Sequence, residues 1–222
     1  MNPRRLTMAT VIVAILVLAG VLVVPRLTSK GSGATTPAAS GATLSYQGQP
    51  TIGNSNAPVT IALFEDFLCP HCAEFSDQVW PQIKRAFIDT GKAKAVFFYF
   101  PVISQSQSPV IGGMGQCIYL QSNSDFWDLE QILMRTQTQL FNTSKAIDIA
   151  TQYAPSLDRQ KLQKCVDAGT GVKTVNKDDG IALGLGLQGT PSVLVNGKQV
   201  SDTSWNGVKK AIEAALPTSS AN

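Results

Sequence analysis

Two cysteines separated by two residues, Cys69-Pro70-His71-Cys72, stand between an apolar, strand-like run and an amphipathic, helix-like one. The reactive form of cysteine is the thiolate, and a helix N-terminus stabilises it, because unpaired N–H groups and the positive end of the macrodipole converge there. Pro70 suits the first helical turn, where its missing N–H would have had no partner. His71 can bring a donor, or a positive charge, beside the Cys69 sulfur. Cysteines at i and i+3 of a first turn are close enough to bridge. The chemistry on offer is reversible disulfide exchange, with the cysteine pair itself as the redox group and no cofactor. Cys-x-x-Cys is also half of a zinc site. Two further ligands would be needed, however, and the only histidine of the chain already lies inside the motif, so no metal is expected.

A strand must deliver those four residues and a helix must receive them. Pro58–Leu68 (PVTIALFEDFL) opens β-branched and apolar and reads as a buried strand. The next stretch sets Phe75, Val79, Ile83 and Phe87 on one helical face, with a kink at Pro81 and a stop at Gly91. Ala93–Val102, with four aromatics in a row, is a second strand that has no room for a polar face. Helices are expected over Pro109–Gln121, Asp125–Arg135, Ser144–Tyr153, Leu157–Ala168 and from Gly171 to about Leu183. Ser124 and Thr143 or Ser144 are their N-cap candidates. Pro191–Val195 and Lys198–Val200 flank Asn196-Gly197, a two-residue hairpin signal. A helix over Ser204–Leu216 follows.

Residues 6–24 carry no charge, and only Thr7, Thr10 and Gly20 interrupt their apolar run. That length suits a bilayer-spanning helix. Arg4 and Arg5 precede it, which keeps the N-terminus cytoplasmic and exports the remainder. Val23-Val24-Pro25-Arg26 lacks the small residues of a cleavage site, so the segment is expected to stay as a signal anchor. The organisation expected is a cytoplasmic stub and transmembrane anchor over 1–27, a Gly/Ser/Thr/Ala-rich flexible tether over 28–50, one domain over 51–216 and a tail over 217–222. The formal net charge is +3, but four of the 18 basic residues and none of the 15 acidic ones fall within residues 1–30. The rest is close to neutral, which argues against a nucleic-acid partner.

A redox Cys-x-x-Cys after the first strand, a helical block, and a Thr-Pro ahead of a hairpin are the ordered marks of the thioredoxin fold with an insertion between its βαβ and ββα halves. Over residues 51–216 the chain resembles the DsbA family of exported thiol:disulfide oxidoreductases. The resemblance rests on Cys69-Pro70-His71-Cys72, on Gly189-Thr190-Pro191-Ser192 and on the helical insertion at about 105–186. It implies an α/β thioredoxin-like fold, with Cys69 as the nucleophilic, more exposed cysteine and Cys72 as its partner one turn inward. It also implies a cis Thr190-Pro191 bond facing the pair. The Pro70-His71 pair resembles the oxidases of the family, whereas thioredoxin carries Gly-Pro. The implied activity is oxidation of reduced exported proteins, with reoxidation by a quinone-linked membrane partner of DsbB-like or vitamin-K-epoxide-reductase-like (VKOR-like) type. A reductase or isomerase would keep the same cysteines reduced. A copper or haem-maturation thiol chaperone would call for methionine or histidine clusters, which the chain lacks. No dimerisation module is patterned ahead of Thr51, so a monomer is expected.

Glu65, Asp66 and Glu74 flank the motif, and Glu65 is the choice for a buried carboxylate that moves the Cys72 proton, a role that resembles acidic residues of related folds. Cys117 and Cys165 complete an even cysteine count in an oxidising compartment, which favours a structural disulfide between them. The family resemblance does not supply that bridge. Trp80, Phe126, Trp127 and Phe97 to Phe100 read as core. Gly112-Gly113-Met114-Gly115 lacks the strand-to-helix setting of a nucleotide loop and reads as part of a helix in the insertion.

Overall fold

Strands β2 (Val59–Glu65) and β3 (Ala93–Tyr99) are apolar on both faces, and both faces are covered. The computed structural model describes residues 44–217, in which these two strands pair in parallel from Val59↔Ala93 to Glu65↔Tyr99. Alternation then divides their side chains between two cores. Ile61, Leu63, Ala95, Phe97 and Tyr99 face the larger one, whereas Ala62, Phe64, Val96 and Phe98 face the smaller one. Phe64 stacks on Phe98 at 4.6 Å between ring centroids, and Phe97 meets Phe126 edge-to-face at 5.2 Å.

Among the described residues the sheet has five strands, in the order β1 (Thr51–Gly53), β3, β2, β4 (Ser192–Val195), β5 (Lys198–Gln199). Strand β4 runs antiparallel to β2, and β5 forms the far edge. The hairpin between them turns at Asn196 and Gly197, with φ of 48° and 79°, as an Asn-Gly turn of this type requires. Strand β1 pairs antiparallel with β3 and was not expected, because three residues carry no readable alternation. The segment 44–50, read from composition as the end of a tether, belongs to the fold. Leu44 enters the smaller core, and Gln49 donates from Nε2 to Asp178 Oδ1 at 2.6 Å.

Beyond β2, the expected long helix is three pieces: α1 (Pro70–Gln78), α2 (Trp80–Ile83) and a π-helical turn (Lys84–Ile88). Pro81 has no N–H to return to the Asp77 carbonyl, and the ladder breaks at Val79. The insertion contains α3 (Ser108–Gln121), α4 (Asn123–Arg135), α5 (Gln137–Leu140), α6 (Thr143–Tyr153), α7 (Arg159–Asp167) and α8 (Val172–Gly184). Two N-caps differ from expectation, and a third, for which none was named, falls inside the expected helix. Ser122 Oγ accepts from Asp125 N, Asn142 Oδ1 from Lys145 N, and Asp158 Oδ1 from Gln160 N and Lys161 N, each a residue or more from the expected start. Helix α9 (Trp205–Ala215) is capped by Ser204.

The glycines of α3 are packing surfaces. A Cβ on Gly113 would meet Val172, one on Gly112 would meet Val175 and Tyr99, and one on Gly115 would stand 2.7 Å from the Phe67 ring. Gly171 abuts the Gly113 carbonyl across the same contact. A disulfide joins Cys117 of α3 to Cys165 of α7. Among the described residues no helix is long and apolar enough to cross a membrane, and the expected anchor over 6–24 lies outside them.

Candidate active site

The turn from β2 into α1 places Cys69 at the N-cap and Pro70 at the first helical position. Both cysteines are present as free thiols. Cys72 is fully buried, and Cys69, expected to be the more exposed, is itself only 3% exposed. The loop before β4 lies against its sulfur. That loop carries the cis Thr190-Pro191 bond. The Cys69 thiol lies 3.4 Å from the Thr190 carbonyl oxygen, to which it donates.

The two sulfurs differ sharply in acidity. Cys69 is lowered to about 6, chiefly because the Cys72 thiol donates to it. Desolvation opposes this, and the Thr190 side chain and the N–H groups of Cys72 and His71 support it. Thr190 Oγ1 is buried with no hydrogen-bond partner among the described residues, which leaves its proton free for the thiolate. Cys72 is held well above the ordinary thiol range by burial first, then by its hydrogen bond to Cys69 and by the charge of Glu65. One thiolate is therefore stabilised at the helix start while its partner keeps its proton.

His71 does this differently from the expectation. Its imidazole is 77% exposed and faces Glu74 Oε2 at 3.3 Å. In this dithiol state His71 serves Cys69 through its backbone N–H.

Glu65, at the end of β2, is 2% exposed, and its Oε2 has no partner among the described residues. Burial pushes its carboxyl well up, with the Glu130 and Cys69 charges adding to this. The protonated carboxyl is thereby favoured beside the two thiols. Glu130 was missed in the sequence. It lies on α4, 3% exposed, accepts from Ser76 Oγ at 3.1 Å, and is pushed up to about 7 by burial. A signal existed: Glu130 shares the apolar face of α4 with Phe126, Leu129 and Leu133. Gln137 of α5 donates from Nε2 to the Cys69 carbonyl at 2.7 Å, and no local pattern announces it.

Beside the cysteines a groove of about 540 Å³ is lined by His71, Gln78, Gln82, Thr190, Pro191 and Trp205. A second groove of about 640 Å³ between β5 and α9 contains none of the site residues. Among the described residues no group of three or more His, Cys, Asp or Glu side chains is placed to hold a metal ion.

Residues 45–214 match the family model described as Thioredoxin. The chain is 30% identical over 175 residues to a probable disulfide bond formation protein D of Bacillus anthracis, covering 77% of this chain and 80% of that one. It superposes on the crystal structure of oxidised BdbD from Bacillus subtilis with a TM-score of 0.70 at 27% identity, over 78% of this chain and 95% of that one. The crystal structure of Wolbachia pipientis α-DsbA1 shares the fold, with a TM-score of 0.65 at 18% identity over 75% of this chain and 90% of that one.

Proposed function

Because this chain belongs to the thioredoxin family and is a thiol:disulfide oxidoreductase of DsbA-like type, we propose that it works as a dithiol oxidase on reduced extracytoplasmic proteins. The observation that carries the direction is the unequal pair: a Cys69 thiolate stabilised at the helix start opposite a Cys72 thiol that keeps its proton. Stabilising the reduced form of a cysteine pair makes its disulfide the stronger oxidant.

In the proposed cycle a substrate thiolate attacks Cys69 Sγ of the Cys69–Cys72 disulfide. The S–S bond breaks, Cys72 leaves as a thiolate, and a proton from Glu65 returns it to the thiol. A second substrate thiolate then attacks the substrate sulfur of the mixed disulfide and expels the Cys69 thiolate, which Thr190 Oγ1 and the backbone N–H groups receive. The substrate loses two electrons to the cysteine pair. A quinone-linked membrane reoxidase, DsbB-like or VKOR-like, takes them up, and no cofactor other than the cysteines is involved. Pro191 and Thr190 form the wall against which an extended substrate lies.

Residues 6–24 anchor the protein with its N-terminus in the cytoplasm and its catalytic domain outside, where it acts as a monomer. The Cys117–Cys165 bridge supports this placement, since such bonds persist in oxidising compartments. Reporter fusions after residue 30 and carbonate extraction of membranes check the topology. A redox equilibrium with glutathione, read by thiol labelling, checks the direction. A potential well above that of thioredoxin, about −270 mV, supports the oxidase, and a value near it identifies a reductase.

A further inference from the structure

Asp66 lies three residues before the nucleophile and is 4% exposed, yet among the described residues no cationic side chain pairs with it. Its polar atoms are engaged by the redox turn and by the loop after β3 instead. Its carboxylate accepts from Leu68 N at 2.9 Å through Oδ1, and from Val102 N and Ile103 N at 3.0 Å each through Oδ2. Its carbonyl accepts from Cys69 N at 2.9 Å, and its own N–H faces the Cys72 sulfur. One side chain thus ties the turn between β2 and α1 to the loop between β3 and α3.

That loop is fixed at its other end too. Gln107 N is held by Ser104 Oγ, and Gln107 Nε2 donates to Leu140 O and Thr143 Oγ1, at the junction of α5 and α6. From α5, Gln137 returns to the Cys69 carbonyl. The hydrogen bonds close a circuit that starts and ends at the nucleophile's own backbone and passes through the insertion.

We propose that Asp66 is the positioning residue of the redox turn, holding Cys69 and Cys72 beneath their N–H donors, with Gln137 completing the grip from the insertion. The role rests on the thiol–disulfide reading of the site and extends it to residues that never touch a sulfur with their side chains.

Charge and positioning predict opposite signs. Removing a nearby negative charge, taken alone, favours the thiolate and lowers the Cys69 pKa. Loosening the turn withdraws N–H donors from the sulfur and raises it. Asp66→Asn keeps the shape but sets an amide NH₂ against backbone N–H donors, so at least one group of these bonds is lost.

The test is the thiolate absorbance of the reduced full-length chain against pH, for the wild type, Asp66→Asn and Gln137→Leu. Each is paired with its glutathione equilibrium. In Asp66→Asn the Cys69 midpoint is expected to rise by about one unit. The equilibrium constant should become about tenfold less oxidising, which corresponds to about 30 mV. Gln137→Leu should move both in the same direction by a smaller factor. A folded Asp66→Asn chain whose midpoint falls or stays overturns the proposal. If that variant fails to fold, an unmoved midpoint in Gln137→Leu overturns it instead. Wild-type protein that does not exchange with glutathione refutes the activity, which is a different failure from either variant result.

Discussion

Acidity is divided at the level of single side chains, and the division can be measured. Cys69 should titrate near pH 6 by thiolate absorbance. Because the Cys72 thiol is its strongest donor, Cys72→Ala should shift that midpoint upward, towards the ordinary thiol range, while Cys69→Ser removes the low-pH step altogether. Glu130 gives a stability signature with a defined sign. Its folded carboxyl is pushed up to about 7 from an ordinary 4.5, so the folded state holds this proton longer than the unfolded one. Its burial costs nothing below about pH 4.5, and stability declines as pH climbs through 7. Glu130→Gln, compared in the oxidised protein by denaturant titration, should flatten that decline, recovering up to about 3 kcal/mol at pH 8. The helix-start position of Cys69, the cis Thr190-Pro191 bond and the burial of Glu65 agree with what the sequence and its family resemblance led one to expect. The direction of the His71 ring and the burial of Glu130 were not legible there, since each is set by a neighbour distant in the chain or by solvent access.

Among the elements, the contact of α3 with the start of α8 leaves the least freedom. A methyl on Gly171 would be driven into the Gly113 carbonyl, which is backbone and cannot swing aside. Gly171→Ala should therefore destabilise the fold by about 1–3 kcal/mol, as overpacked sites do. Gly180, on the same helix, has open space where a Cβ would go. Gly180→Ala should be neutral or stabilise by up to about 1 kcal/mol. Opposite shifts in denaturant midpoint check the pair. Long periodic runs were readable: β2, β3, the hairpin and most helices of the insertion fall within a few residues of expectation. Boundaries set by one side chain were not, as with Asn142 capping α6, whereas the kink expected at Pro81 falls at the break between α1 and α2. Strand β1 exists only because β3 offers it an edge.

For the molecule as a whole, the Cys117–Cys165 bridge closes 48 residues of the insertion, worth about 4 kcal/mol in the chain-entropy account. Replacing both cysteines with serine should lower unfolding stability by up to that amount, while exchange at Cys69 and Cys72 persists at a near-wild-type rate. Denaturant titration and a peptide-oxidation assay read the two effects separately. The βαβ-then-helices order was visible from the start, but the placing of residues 44–50 in the fold was not, because Gly48 and Gln49 are held by Gln116 and Asp178, more than fifty residues away. The same long-range pairing bears on how the chain matures. Central strand β2 cannot gain its β4 neighbour until residues 192–195 have emerged, and Thr190-Pro191 arrives only just ahead of them. Such non-local contacts form late. Until then Cys69 has no opposing wall and shares the nascent chain with three other thiols. An oxidant that meets the chain in that interval can join Cys69 to Cys117 or Cys165 instead of Cys72, an error that the folded chain, with Cys117 and Cys165 already bridged, excludes.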